Sequence, residues 1–252
     1  MTGRSIACRS FFVYLYVIME QSVKETLIGW AQEYNDPKYF TEDPIIFPKH
    51  FAVRYCNGEA SLQDVEIAAL LASHLAWGRR AMIVRDCGRM LDEMYWKPYD
   101  YVMNGEYRDE NTSLHRTIKW SEFAAICERL RNIYGEHESL EGLTDTQIRC
   151  QIFGQKEDRK APNKKISMMR RWLVRDDGKV DLGVWQSSSK RDLILPLDVH
   201  VYTQASALGL TTRRQKDIVT AQEITDAFKE IWPDDPCLGD YALFGYGVTH
   251  KQ

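Results

Sequence analysis

The feature that most constrains the fold is a succession of apolar residues at helical spacing, separated by capping signals, along most of the 252 residues. In "SLQDVEIAALLASHLAW", residues 61–77, apolar positions recur every three or four residues, and Ser61 and Asp64 have capping-box spacing. Gly78 follows as a stop signal. No run of useful length alternates apolar and polar residues as a half-buried strand would. The sequence therefore predicts an all-α fold.

Other segments repeat the helical pattern with their own start signals. Pro98 suits the first turn of a short helix, Ser121 is expected to cap the next one, and Thr144 and Thr220 each begin a capping box. Pro196 disfavours the α region for Leu195, so that a further helix is expected to begin near Asp198. The remaining expected helices cover residues 81–96, 98–103, 121–134 and 220–232, with a helical turn at 144–147.

The length is enough for one large domain or two small lobes. We interpret residues 1–20 as a leader outside the fold, with Met19 as an alternative first residue, and residues 21–252 as a single domain. The apolar run at 11–19 is too short to span a bilayer and no cleavage site follows it. If the domain has two lobes, their boundary is expected within residues 135–163, where polar segments are concentrated.

Cysteine usage and charge exclude several classes of protein. The six cysteines are scattered, with no CxxC pair and no short Cys/His spacing, so we expect reduced thiols, a cytoplasmic location, and neither a metal site nor an iron–sulfur cluster. No cofactor and no membrane role are predicted. A formal net charge of −3 does not by itself indicate a polyanion partner. A monomer is expected.

Charge is nevertheless concentrated in one place. Residues 156–175 carry eight basic and two acidic side chains. This segment, which we call the basic strip, is typical either of a solvated helix face and loop or of a surface that faces phosphates. Both interpretations stay open from the sequence.

Asp198 is the most informative acidic residue, because it interrupts the apolar stretch "LILPLDVHVYTQASALGL", residues 193–210. At a helix start it would act as an N-cap, which contributes about 1 kcal/mol. The segment "LPLDVHVYTQASALGL" also resembles the Pro-x-Asp-x-His/Arg-Val segment of the helix–hairpin–helix DNA glycosylase superfamily, which includes endonuclease III and the archaeal 8-oxoguanine glycosylases. This resemblance implies two helical lobes with a cleft between them and makes Asp198 the catalytic acid residue.

The resemblance also implies a lysine nucleophile on an earlier helix. Lys164 heads the helical pattern "KKISMMRRWLVR" and is the predicted nucleophile, with Lys165 as its immediate rival. The hairpin of the form Leu-Pro-Gly-Val-Gly, which would present backbone N–H groups to a DNA phosphate, is missing from residues 136–163. We expect basic side chains to replace it on duplex or single-stranded DNA, namely Arg79, Arg80, Lys160, Lys165, Arg170 and Arg171.

A closer resemblance is to a family of bacterial conserved hypothetical proteins with no assigned function. It is carried by the segments at residues 66–80, 115–117, 168–185, 195–201 and 242–247. The segment "HRT", residues 115–117, receives no role from the sequence. Membership of this family does not imply a particular activity.

The function implied by the glycosylase resemblance is excision of an oxidised purine such as 8-oxoguanine, with abasic-site lyase activity through a lysine Schiff base. The target nucleotide would leave the base stack, and an aromatic side chain would help to hold it. The aromatic candidates, each also explained as a core residue, are Trp77, Trp120, Trp172 and Trp185. The alternative is a non-catalytic nucleic-acid-binding protein of similar fold. A metal-dependent hydrolase is disfavoured because the sequence has no HExxH or comparable ligand cluster.

Overall fold

The structure, a computed structural model, describes residues 19–250 and is mostly helical, as the sequence predicts. The helices are α1 Gln21–Tyr34, α2 Ile46–Cys56, α3 Leu62–Leu75, α4 Arg80–Glu93, α5 Pro98–Asn104, α6 Trp120–Glu136, the single turn α7 Asp145–Gln147, α8 Lys164–Val174, α9 Val199–Ala207, α10 Ile218–Lys229 and α11 Leu238–Thr249. Short 3-10 turns lie at Pro37–Phe40 and Lys190–Asp192, and a π turn at Ile148–Ile152. The one departure from an all-helical fold is a small antiparallel hairpin of β1 Ser113–His115 and β2 Ile118–Lys119.

Helix α3 lies at the centre of one group of helices. Its capping box is confirmed: the Ser61 backbone N–H donates to Asp64 at 2.8 Å, and the Asp64 N–H donates to Ser61 Oγ at 3.1 Å. Nine consecutive residues, 65–73, are buried, and the helix contacts α2, α4, α5 and α8. A helix buried on all sides shows no polar face, which explains why residues 65–73 are apolar apart from Glu66 and Ser73. The helix ends at Leu75, three residues before the predicted stop.

The first and last helices of the described chain pack against each other, and α11 also packs on α9. The approach of α1 to α11 depends on Gly245, where an added Cβ would lie 2.2 Å from the Tyr34 ring. Gly239 is equally confined, since its Cβ would lie 2.3 Å from Phe228 on α10. Close helix packing of this kind requires glycine because any side chain would displace the neighbouring ring.

Two predicted helix starts are wrong, because the chain uses a neighbouring residue. Helix α6 begins at Trp120, and Glu122 accepts a hydrogen bond from the Lys119 backbone N–H at 2.9 Å, so Ser121 is inside the helix. Helix α10 is capped by Asp217, whose carboxylate accepts from the Thr220 N–H at 3.0 Å. In both cases a short polar residue of the first turn resembles an N-cap in sequence.

The buried apolar side chains form one hydrophobic cluster. It includes residues of α3 and the helices around it, and of α1, α9 and α11. Met19 belongs to this cluster, so the chain is already packed at the end of the segment interpreted as a leader. The rest of that interpretation, on residues 1–18, lies outside the described residues. The predicted lobe boundary within 135–163 covers the end of α6, α7 and the loop before α8. No helix in the described part of the chain is long and apolar enough to cross a membrane.

Candidate functional site

Lys164 and Asp198 meet although they lie on different helices. Lys164 is the first residue of α8, and Asp198 is the N-cap of α9. The Lys164 Nζ lies 3.7 Å from Asp198 Oδ2, which is an ion pair but too long for a hydrogen bond. The side chains remain 32% and 12% exposed, so that solvent or a ligand reaches both groups. The structure thus brings together the two residues predicted as catalytic.

The local sequence explains how Asp198 reaches this position. The residues before it form an extended segment, and its own backbone is extended, with φ −116° and ψ −173°. Asp198 Oδ1 accepts a hydrogen bond from the Val201 N–H at 2.9 Å, which confirms the predicted cap. The cap uses one carboxylate oxygen and leaves Oδ2 facing Lys164. One side chain therefore both begins α9 and supplies a negative charge to the site.

Lys165, the rival nucleophile, is more buried than an ordinary lysine. Its Nζ lies 5.9 Å from the centre of the Trp77 ring, and it has no acidic partner among residues 19–250. Burial, together with the charge of Lys164, lowers the pKa of Lys165 to about 8. A substantial fraction of this amine is therefore neutral near physiological pH, which is the form that attacks an electrophilic carbon.

His74, near the end of α3, lies within electrostatic range of Lys165. Its ring stacks on Phe153 with 4.4 Å between ring centres. Burial lowers the pKa of His74 to about 3, with smaller contributions from Lys165 and His115, so the ring is neutral at physiological pH. A neutral imidazole beside Lys165 offers it no ion pair, consistent with the lowered pKa of that lysine.

Arg171, predicted to bind nucleic acid, lies inside the fold. It is 5% exposed, its guanidinium donates to Asp240, and it packs over the Tyr241 ring at 4.5 Å. Arg175, one helical turn later and 1% exposed, binds Asp235 through two hydrogen bonds of 2.8 Å. Buried arginines must be paired in this way, because an isolated charge in the interior is costly. This end of the basic strip therefore joins α8 to α11.

The remaining predicted binding residues divide into two groups. Arg170 is partly buried and donates to Asp145 at 2.7 Å, and Arg80 lies 3.7 Å from Asp43, so both contribute contacts within the protein. Arg79 and Lys160 are exposed, and neither forms an ion pair within the described residues. Arg79 occupies the N-cap position of α4, without a capping hydrogen bond from its side chain. Only the second group presents free charge to solvent.

A second carboxyl group lies close to the pair. Asp240 on α11 is 3% exposed. Burial raises the pKa of Asp240 to about 6; the adjacent Arg171 lowers it, whereas the negative charge of Asp198 raises it.

Two cavities are formed away from the pair. One, of about 70 Å³, lies between α1, α4 and α11 beside Arg80, Arg171 and Tyr241. The other, of about 460 Å³, lies beside Trp96, Arg54 and Lys97 and falls in the range of small-molecule sites. Neither is lined by Lys164 or Asp198, so in this conformation the pair lies outside both cavities. Among residues 19–250, no cluster of His, Cys, Asp or Glu is arranged to hold a metal ion.

The sequence missed two residues beside Lys165. Arg116 packs over the Trp77 ring at 4.3 Å, and His115 is buried next to it. Both belong to the segment "HRT", which stood out in the sequence without a role. Of the four tryptophans considered as an aromatic wall, Trp77 is the one that keeps solvent exposure; Trp120, Trp172 and Trp185 are buried.

The fold and the site together define a mostly helical protein with a lysine–aspartate pair between two helix starts. The chain belongs to the family described as "Protein of unknown function (DUF2400)", whose model matches residues 43–152 and 144–249. This agrees with the membership expected from the conserved hypothetical proteins. No curated protein and no solved structure matches the chain, so these comparisons lend no support to the glycosylase resemblance.

Proposed function

We propose that this protein is a base-excision enzyme of DNA, a glycosylase with abasic-site lyase activity, that acts on an oxidised purine such as 8-oxoguanine through Lys164 and Asp198. The observation that carries the proposal is the approach of Lys164 Nζ to Asp198 Oδ2 at 3.7 Å. An amine and a carboxylate at two helix starts, both open to solvent, are the groups that this reaction needs.

The reaction begins when a neutral lysine amine attacks C1′ of the nucleotide. A carbon–nitrogen bond forms to the lysine, the bond from C1′ to the base breaks, and the base leaves with a proton. A proton then passes to the ring oxygen as its bond to C1′ breaks, and the sugar ring opens to a protonated Schiff base. Loss of a proton from C2′ then expels the 3′-phosphate and cuts the strand. At an existing abasic site, the same amine condenses with the aldehyde and releases water.

Asp198 has two tasks in this scheme. Ionised, it stabilises the positive charge that develops on the sugar as the base departs. It also accepts the proton that the attacking amine must lose. Because its Oδ1 is fixed by the Val201 N–H, the orientation of Oδ2 toward Lys164 is set before substrate binds. This preorganisation is the contribution of the fold to the proposed reaction.

Two observations favour different lysines as the nucleophile: position favours Lys164, and the lowered pKa favours Lys165. Lys164 lies in contact with Asp198, whereas Lys165 has a pKa lowered to about 8. We assign Lys164 as the nucleophile because of its contact with Asp198, and Lys165 is the second amine beside it. The reverse assignment exchanges these two roles.

The proposal requires the base to be received beside Lys164 and Asp198, outside the two cavities described above. Trp77 is partly exposed, and its ring centre lies 5.9 Å from the Lys165 amine. We therefore expect the extruded base to stack on Trp77. The free charges of Arg79 and Lys160 supply electrostatic attraction for the DNA backbone.

Borohydride trapping tests the proposal. The wild-type protein is incubated with duplex DNA that contains an abasic site or 8-oxoguanine, and sodium borohydride reduces the Schiff base to a stable covalent adduct. We expect an adduct with wild type, none with Lys164→Gln, and an undiminished adduct with the control Lys229→Gln, an exposed lysine on α10. An adduct that survives Lys164→Gln but is lost in Lys165→Gln moves the nucleophile by one residue.

Release of the free base is measured in the same samples. Base release without an adduct identifies a simple glycosylase in which Asp198 activates water, and this activity should be lost in Asp198→Asn. If the wild-type protein binds the DNA but neither releases a base nor forms an adduct, the enzyme proposal fails. The protein is then the non-catalytic nucleic-acid-binding alternative.

A further inference from the structure

Trp77 forms the centre of a basic surface beside the lysine–aspartate pair. It lies in the turn between α3 and α4, and its indole ring is shared by two cations. The Arg116 guanidinium carbon lies 4.3 Å from the ring centre, and Lys165 Nζ lies 5.9 Å from it. Both distances are within the range of cation–π contacts. Arg79 follows two residues later at the start of α4.

The Arg116 side chain is held in a fixed position. Its backbone is left-handed, with φ 54°, which is uncommon for a residue other than glycine. Its guanidinium occupies the space beside Gly78, where an added Cβ would lie 2.6 Å from Arg116 Nη1. Gly78 therefore leaves room for the arginine, whose guanidinium carbon lies over the Trp77 ring. Fixing a long side chain in advance removes part of the entropy cost of binding a ligand.

A chain of buried hydrogen bonds joins Asp86, His115 and the Trp77 backbone. His115 is fully buried; its Nδ1 lies 2.7 Å from Asp86 Oδ2 and its Nε2 lies 3.0 Å from the Trp77 carbonyl oxygen. The His115 ring therefore bridges the Asp86 carboxylate and the Trp77 backbone. Burial raises the pKa of Asp86, but hydrogen bonds from Arg85 and His115 outweigh this and lower the pKa overall. His115 thus ties the β1–β2 hairpin, whose turn carries Arg116, to the backbone of Trp77.

The cations at this surface have no acidic partners within the part of the chain that the structure describes. Arg116, Arg79 and Lys165 take part in none of the ion pairs formed by those residues, and Arg116 is exposed. A stacked guanidinium keeps its N–H edge free, and that edge matches two oxygens of a phosphate. An arginine prepared in this way and left without an acid is suited to an external anion.

We infer that Arg116, stacked on Trp77, holds a backbone phosphate of the nucleic acid next to the nucleotide that reacts at Lys164 and Asp198. The inference rests on the proposed function for the identity of the polyanion. In the "HRT" segment, His115 would position the hairpin and Arg116 would bind the phosphate. Arg116 would also supply, through a side chain, a phosphate contact that the missing hairpin would make through its backbone.

The test is the salt dependence of DNA binding. A fluorescently labelled duplex that carries a stable abasic analogue is titrated with protein at several salt concentrations, and binding is followed by anisotropy. Arg116→Gln should weaken binding about tenfold, since it removes a charge-assisted hydrogen bond. The slope of log K against log salt should fall in magnitude by about one, because one phosphate contact is lost. Arg116→Lys should keep the slope and recover part of the affinity.

The matched control is Arg191→Gln, which removes the charge of another exposed arginine that stacks on no aromatic ring in residues 19–250. It should leave affinity and slope unchanged. Equal affinity and slope for Arg116→Gln and wild type would overturn the inference, even if trapping succeeds. If wild type binds DNA and Arg116→Gln shows the weaker binding and the reduced slope, but wild type gives no adduct and no base release, the enzyme proposal alone is overturned. If wild type does not bind DNA, both fail.

Discussion

Lys164 and Asp198 occupy the first turn of α8 and the N-cap of α9, and their charged groups approach to 3.7 Å across the space between these two helix starts. The positive ends of both helix dipoles face this point. A carboxylate is favoured there, and it offsets the charge of the adjacent lysine. The same electrostatics would favour a phosphate or another anionic group of a substrate.

The two tasks of Asp198 can be separated by substitution. Asn caps a helix about as well as Asp but carries no charge, whereas Ala cannot cap. Asp198→Asn should therefore keep the wild-type stability and lose base release and trapping. Asp198→Ala should lose about 1 kcal/mol of unfolding free energy as well, measured by urea denaturation. Equal activity of Asp198→Asn and wild type would contradict the catalytic assignment while leaving the cap intact.

The acid–base state of Lys165 can be read directly. After reductive methylation with a ¹³C label, the lysine resonances are titrated by NMR, and Lys165→Arg assigns the signal. We expect a midpoint near pH 8, because burial and the charge of Lys164 lower the pKa of Lys165 to about 8. Removal of that charge in Lys164→Gln should move the midpoint upward. A midpoint near the ordinary value of 10.5 would contradict the buried position of this amine.

The same shift affects stability with a defined sign. Between about pH 8 and pH 10.5, the unfolded chain binds the Lys165 proton and the folded chain has released it. The unfolding free energy of wild type should therefore rise with pH across this window relative to Lys165→Met. A falling difference would indicate that folding favours the charged lysine.

The start of α9 could be predicted because its signals are local. Pro196 enforces an extended entry, and Asp198 is the last polar residue before the helical pattern. Lys164 likewise begins α8 as expected. That the two meet was suggested only by a resemblance, since no spacing in the sequence determines how two helices 34 residues apart are packed.

Other features depend on partners distant in sequence. Arg171 looks like a surface residue of the basic strip, but its partner Asp240 lies 69 residues away. Trp77 and Trp120 are both candidates for the aromatic wall, and only tertiary packing makes Trp120 buried and leaves Trp77 partly exposed. The hairpin of β1 and β2 is too short for an alternating pattern to be recognised.

Ser61 and Ser121 provide a direct comparison of two serines that were both predicted as caps. Ser61 forms both bonds of a capping box, whereas Ser121 lies inside α6. Ser61→Ala should lower the unfolding free energy by about 1 kcal/mol, and Ser121→Ala should have little effect. Circular dichroism during urea denaturation measures both. Equal losses of unfolding free energy in the two variants would indicate that Ser121 also caps its helix.

Glu66 is a buried acid of α3 whose substitution we expect to lower the unfolding free energy strongly. It is fully buried and accepts hydrogen bonds from Trp185 Nε1 at 2.7 Å and from the Tyr134 hydroxyl at 3.0 Å, in addition to Ser139 and the Leu140 N–H. Glu66→Ala would leave these donors unsatisfied and should cost about 3 kcal/mol. The exposed Glu157→Ala is the control and should stay within about 0.5 kcal/mol of wild type. A small effect at Glu66 would show that water replaces the carboxylate.

The central claim is that the amine beside Asp198 forms a covalent bond with the sugar of DNA. The most direct measurement is mass spectrometry of the borohydride-reduced complex after digestion of both protein and DNA. We predict a deoxyribose-derived modification in the peptide that contains Lys164 and Lys165, with fragmentation placing it on Lys164. The absence of any modified peptide, or a modification on an exposed lysine elsewhere such as Lys229, would contradict the account.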